Sequence, residues 1–230
     1  MTYVVSDIHG CFDKFNKLLK EISFKDDDIM YVLGDVVDYG DESMELLCDL
    51  SMRYNVIPIL GDHDYKAYNM LTALNGMLTD GITPDEDILS EMAEWMQDGG
   101  ANTIEGFKAL DAEMREGILE YLADMSLYED VEINGRRFVL VHAGIADFDE
   151  DTPLEDYMPE DFTDADFDAD RRYFSDATVI AGHVPTYEID GAEKGRIYKG
   201  EYGYVIDCGA AFGEALGAMR LEDGKKFYIR

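Results

Sequence analysis

MTYVVSDIHG (residues 1–10), IMYVLGDVVDYG (29–40) and VIPILGDHD (56–64) repeat one pattern: a short apolar run, then Ser or Gly, then aspartate. Each run reads as a buried strand, because a few consecutive apolar residues bounded by turn formers are too short for a buried helix. Between the first two runs, Phe12, Phe15, Leu18 and Leu19 mark one face of an amphipathic helix over Phe12–Lys20. A second helix is expected from Ser43 to about Tyr54. Strand–helix alternation predicts right-handed crossovers and a parallel sheet, hence an α/β fold. In such sheets ligands bind beyond the carboxyl ends of the strands, where these aspartates fall.

Outward from this core, residues 66–126 read as helical, with 91–96 and 113–122 clearest and an Asp98-Gly99-Gly100 turn between them. This block interrupts the strands and predicts a helical cap or flank whose Met and aromatic residues are core. Val131–Ile133 and Arg137–Val141 flank Asn134-Gly135, the dipeptide of a tight hairpin turn. The second hairpin strand delivers His142, and Thr178–Ala181 delivers Gly182-His183. The tail, from Ile197 to Ile229, alternates in polarity and is expected to form a meander completing a second sheet. One domain over residues 1–230 is the default for this length.

Composition excludes several classes. With 51 acidic against 19 basic residues the net charge is −32, so the basic footprint that nucleic acid requires is missing. No apolar run approaches the ~20 residues of a membrane span. The first strand begins at Thr2, which leaves no room for a secretory signal, and three cysteines without C-x-x-C spacing fit free thiols. A cytoplasmic setting is the resulting expectation. Aspartates concentrated over 147–170 read as an exposed segment.

All four histidines sit in short clusters with Gly or Asp after apolar runs: Asp7-Ile8-His9-Gly10, Gly61-Asp62-His63-Asp64, His142-Ala143-Gly144 and Gly182-His183. Imidazole with carboxylate is the ligand pair of Zn, Mn and Fe, so one metal site is expected. The competing reading of any single histidine is a surface or hydrogen-bonded core residue. Asp38 likewise reads as a turn residue before Gly40.

In order, D-x-H-G, G-D-x-x-D-x-G, G-[ND]-H-[DE], H-A-G and G-H resemble the calcineurin-like metallophosphoesterases. The likeness is to the phosphoprotein-phosphatase branch, with its bacterial Ser/Thr phosphatases and symmetrical dinucleoside-tetraphosphate hydrolases. The resemblance implies a four-layer α/β/β/α sandwich, here with a helical insertion, and two metal ions, Mn²⁺ or Fe with Zn as a further option. By position, Asp7 and His9 would hold the first metal, Asp35 would bridge, and Asp62, His142 and His183 would complete the second. The chemistry implied is attack of a metal-activated hydroxide on phosphorus. His63 would donate a proton to the leaving oxygen, oriented by Asp38.

Three positions depart from the family pattern. Tyr39 stands where a phosphate-gripping arginine is usual. Asp62 replaces Asn, which removes an amide donor. Asp166 aligns with a second arginine, with Arg171 and Arg172 nearby as substitutes if the loop is shifted and Lys66 as a further cation. Each charge-assisted bond to phosphate contributes roughly 1.5–3 kcal/mol. Two losses therefore imply ~10²–10⁴ in rate. The leading expectation is a Ser/Thr-phosphatase-like phosphomonoesterase acting on a phosphorylated protein or small phosphorylated metabolite with a weakened phosphate grip. The alternatives are a dinucleoside-tetraphosphate hydrolase and a metal-binding pseudophosphatase scaffold.

Overall fold

The computed structural model describes residues 1–230. The three opening runs become strands β1 (Thr2–Val5), β2 (Ile29–Leu33) and β3 (Val56–Ile59), joined by helices α1 (Phe12–Glu21) and α2 (Ser43–Ser51). All three strands pair in parallel. The insertion forms α3 (Asp62–Asp80), α4 (Glu86–Trp95), a kinked turn (Met96–Gly100), α5 (Ala101–Ala109) and α6 (Ala112–Ala123). Helix α3 starts earlier than the apolar pattern indicated, so Asp62 and His63 occupy its first turn. Asp85 and Asp111 start α4 and α6 by accepting the backbone N–H of Ile88 and Met114.

The hairpin is β4 (Tyr128–Ile133) and β5 (Arg136–Val141), with Asn134 and Gly135 both at positive φ as a tight turn requires. After the short α7 (Pro159–Thr163) come β6 (Ala177–Ala181), β7 (Tyr198–Lys199), β8 (Gly203–Val205), β9 (Leu216–Arg220) and β10 (Lys226–Ile229). The strands make two five-stranded sheets, ordered β10-β9-β1-β2-β3 and β4-β5-β6-β8-β7.

The meander expected in the tail is therefore divided. β7 and β8 join the second sheet, but β9 lies antiparallel to β1 in the first. The cause is a vacant edge: β2 occupies one side of β1, and the β9–β10 hairpin closes the other. β9 is then buried on both faces, with Leu216 and Ala218 in the outer core and Met219 between the sheets.

Strand alternation sorts the layers. Val4, Leu33 and Ile59 meet Phe138, Leu140 and Ile180 between the two sheets. Their neighbours Tyr3, Val5 and Val32 face outward onto the helices, against Phe15, Leu47, Met70, Phe107 and Leu122. Across the second sheet, Val139, Val141 and Val179 pack on Leu154, Phe162, Tyr173 and Phe174. The order is α/β/β/α, with a thin last layer of one short helix and coil. No helix is long and apolar enough to cross a membrane.

Candidate active site

The carboxyl ends of β1, β2, β3, β5 and β6 converge, and the loops after them carry Asp7, His9, Asp35, Asp62, His142 and His183. Two groups of ligand atoms form, each with all members within 4.8 Å of one another: Asp7, His9 and Asp35, and Asp35, Asp62, His142 and His183. Asp35 belongs to both. One of its oxygens is 3.4 Å from His9 Nε2 and the other 3.6 Å from His142 Nε2.

Backbone carbonyls set the imidazoles. His9 Nδ1–H donates to Val37 O at 2.7 Å and His142 Nδ1–H to Leu33 O at 2.8 Å, which leaves each Nε2 facing the carboxylates. Fixing one nitrogen this way presents the other as a ligand. Such close approach needs a thin backbone. Gly34 lies at φ +77, and a Cβ there would meet His142 Nδ1 at 2.5 Å and Gly61 Cα at 2.7 Å. Nine non-glycine residues have positive φ, and six of them are here: Asp7, His9, Asp35, Asp38, Tyr39 and His183.

The donor set fits cations. Asp7, Asp35, His9 and His142 are all buried. Burial, then the charge of Asp207 and Asp35, pushes Asp7 well above the usual carboxylate range; burial and Asp62 do the same to Asp35. Against the cost of burial, hydrogen bonds from His142 and His183 hold Asp62 well below that range. His142 Nε2, His183 Nδ1 and Asp62 Oδ1 lie 3.0–3.1 Å apart. A proton satisfies one such pair at a time, whereas a divalent ion satisfies the whole set. Oxygen and imidazole donors of this kind suit Mn, Fe or Zn.

Beside this centre His63 Nδ1 is 2.7 Å from Asp38 Oδ2, which leaves Nε2 as the free ring nitrogen. Burial opposes charge on His63, but the Asp38 hydrogen bond and the carboxylates of Asp35 and Asp62 push it up to about 9. Asp64, fully buried, accepts from the backbone N–H of Val36 and Val37 with one oxygen and of Gly61 with the other. It ties the Asp35–Asp38 loop to the start of α3. Asp64→Ala leaves three N–H groups without partners and is expected to cost about 3 kcal/mol or more. A thermal midpoint lower by roughly 6–12 °C would record this; an unchanged midpoint would refute it.

Two cavities meet at Asp62 and His63. One, of about 290 Å³, is lined by His9, Asp35, Tyr39, His183, Asp207 and Phe212. The other, of about 480 Å³, extends over Lys66, Asn69, Glu91, Glu94, Trp95 and Asp98. Tyr39 stands at the site edge-on to the His9 ring, tilted against His63, and donates its hydroxyl hydrogen to Asp98.

The two arginines offered as substitutes for the absent ones lie elsewhere. Arg171 is exposed and sits over the Tyr173 ring at 4.8 Å, and Arg172 donates to the carbonyls of Phe174 and Ser175. The cause is local: burial of Tyr173 and Phe174 against the second sheet turns the preceding arginines outward. Asp166 is exposed, with its backbone against Gly144. Lys66 borders the larger cavity but is paired with Glu91 at 3.0 Å.

Among the site residues that escaped the sequence reading, four stand out. Asp64, Trp95 and Thr103 contact the Asp35–Asp38 loop, and buried Asp207, pushed up to about 7 by burial, lines the smaller cavity. Only Asp64 carried a signal, as the acidic residue closing G-D-H-D.

Comparison with known proteins places this geometry. A protein of Acidovorax sp. (strain JS42) named bis(5′-nucleosyl)-tetraphosphatase, symmetrical, is 32% identical over 146 residues, 62% of this chain and 43% of its own length. The match thus spans less than half of that relative. A protein of the same name from Actinobacillus succinogenes is 25% identical over 275 residues, 98% of this chain and 95% of its own. Among solved structures, a candidate diadenosine tetraphosphatase superposes with a TM-score of 0.63 at 19% identity, covering 99% of this chain and 92% of the other; that likeness concerns the fold. The family model for calcineurin-like phosphoesterases matches residues 2–206, through every one of the Asp/His motifs, and the chain belongs to that family.

Proposed function

We propose that this chain is a dinuclear metal-dependent phosphomonoesterase. One observation carries the reading: Asp35 is shared by two ligand groups, and the His63–Asp38 pair stands next to them. In this reading Asp7, His9 and Asp35 would hold one ion, and Asp35, Asp62, His142 and His183 would hold the other. Bound divalent ions supply Lewis-acid activation of water and neutralise charge on the phosphoryl oxygens. The remaining work falls to the protein. As water oxygen bonds to phosphorus, the phosphorus–oxygen bond to the leaving group breaks and its electron pair stays on that oxygen. His63 Nε2 gives this oxygen a proton, so an alcohol and inorganic phosphate depart. Asp38 holds the ring by Nδ1 and balances its charge.

The leaving group faces acidic surroundings. Glu91, Glu94 and Asp98 line the larger cavity, Lys66 is neutralised by Glu91, and no arginine borders either cavity. A polyphosphate leaving group is repelled there, whereas a neutral or cationic alcohol such as a seryl side chain is accommodated. The relatives named as symmetrical tetraphosphatases favour a second reading, dinucleoside-tetraphosphate hydrolysis. Turnover of the manganese-loaded protein on a phosphoserine peptide and on diadenosine tetraphosphate separates the two. At least ~10-fold higher kcat/KM is expected for the peptide, about 1.4 kcal/mol. The opposite preference would replace the first reading with the second, and no turnover with metal bound would favour a scaffold.

The same depleted cations predict weak product binding. Inorganic phosphate is expected to inhibit only in the millimolar range, since two absent contacts of roughly 1.5–3 kcal/mol each weaken binding ~10²-fold or more. Competitive inhibition at micromolar phosphate would contradict this.

A further inference from the structure

Asp38 is bonded far beyond what a turn residue needs. Its Oδ2 accepts both His63 Nδ1 and Trp95 Nε1, each at 2.7 Å, and its Oδ1 accepts Thr103 Oγ at 2.7 Å. Its backbone N–H donates to Ser43 Oγ and to Thr103 Oγ. Trp95 and Thr103 both belong to the helical insertion, at the end of α4 and in α5, and both are buried.

Helical geometry alone would not bring them together. In a straight helix, eight residues advance the chain about 12 Å, too far for one carboxylate to bond both. A kink between the two helices removes that separation: Asp98 and Gly99 leave helical φ/ψ, Gly99 at φ +96. Gly100 lies against the Trp95 indole, where a Cβ would meet the ring at 2.4 Å. The same turn holds Tyr39, next to Asp38, since Gly99 O accepts the Tyr39 N–H at 3.1 Å and Asp98 accepts the Tyr39 hydroxyl. Asp98 and Gly99 thus both bond Tyr39.

We propose that Trp95 is a positioning residue of this site: its indole N–H, with the Thr103 hydroxyl, locks the Asp38 carboxylate in the orientation that aims His63 Nε2 at the leaving oxygen. This rests on the reading of His63 as the proton donor. With Trp95 and Thr103 in place, rotation of the carboxylate about Cβ–Cγ breaks three hydrogen bonds; without the indole N–H, Oδ2 is held by His63 alone.

The experiment uses Trp95→Phe, which keeps a ring but removes the donor, and Thr103→Val, which is nearly isosteric. Both are compared with His63→Ala on two esters, an alkyl phosphate whose alkoxide needs a proton and p-nitrophenyl phosphate, whose phenolate does not. Manganese content and thermal midpoint are measured on each protein. For both variants kcat on the alkyl ester is expected to fall ~10- to 100-fold, with a loss on the aryl ester at least ~5-fold smaller and metal content unchanged. If Trp95→Phe does not fold, Thr103→Val must show the split by itself. Equal losses on both esters indicate general loosening and overturn the proposal, as does no loss on either. Selective loss in His63→Ala without it in these variants leaves the His63 reading standing and removes only Trp95. Alkyl-ester turnover that survives His63→Ala removes both.

Discussion

Asp35→Asn is expected to lower kcat/KM on a phosphomonoester by ~10⁴-fold or more, equivalent to about 5.5 kcal/mol of transition-state stabilisation. No other side chain belongs to both ligand groups, so one substitution weakens two ion sites together. Asn offers one carbonyl oxygen where the carboxylate offers two and carries no charge to hold cations among Asp7, Asp62 and the imidazoles. Bound manganese, read by elemental analysis, should fall from about two ions per chain to one or none. Thermal unfolding gives a readout independent of catalysis. In chelator, the variant should melt higher than the parent, because burial and neighbouring carboxylates make ionised Asp35 costly. In saturating manganese the order should reverse, since ligand bound only to the folded state stabilises it. Two ions retained, or the same melting order in both conditions, would defeat the bridging role.

The second large effect belongs to His63→Ala. Loss of a positioned general acid removes ~10²–10⁴ from the rate where the leaving group requires a proton. About 10³-fold is expected on an alkyl phosphate and ~10-fold on p-nitrophenyl phosphate. His63 is held by one short hydrogen bond to a fully buried carboxylate, so the pair should act as a unit. Asp38→Asn alone should remove much of the same rate, and the double variant should be little worse than His63→Ala. Additive losses would mean that Asp38 serves the site by another route. Comparable losses on both esters would mean that His63 does something other than protonate the leaving oxygen.

The parts of this site legible in sequence are those where chemistry follows directly on a strand. Asp7, Asp35, His142 and His183 each come within a few residues of a buried apolar run, so strand period and turn chemistry bring them to one end of the sheets. The parallel α/β order was readable from strand–helix alternation. The four-layer arrangement was implied only by the family resemblance, since Val4 and Val5 are both apolar and do not by themselves tell inner from outer face. Trp95 and Thr103 were not, because their partner Asp38 is 57 and 65 residues away and reached only through a break in helical geometry. Asp207 was hidden similarly, in a loop after β8 whose place depends on the second sheet. Arg171 and Arg172 misled because charge marks a residue as suitable for phosphate but says nothing about its direction. Packing of the adjacent Tyr173 and Phe174 decided that. For β9, alternation revealed a strand but not which sheet had a free edge.

The concentration of left-handed backbone on Asp7, His9, Asp35, Asp38, Tyr39 and His183 has a consequence for how this enzyme could be made sturdier. Each such residue costs about 1 kcal/mol or more relative to a conformation it prefers. Glycine would relieve that cost at each of the six positions. At Asp7, His9, Asp35, Asp38 and His183, however, it would delete a side chain of the ligand groups or of the His63–Asp38 pair, and at Asp38 it would also strand the Trp95 and Thr103 donors. The strain therefore stays in the fold because the same residues carry the site, and a library screened by melting temperature must be screened for turnover in the same round.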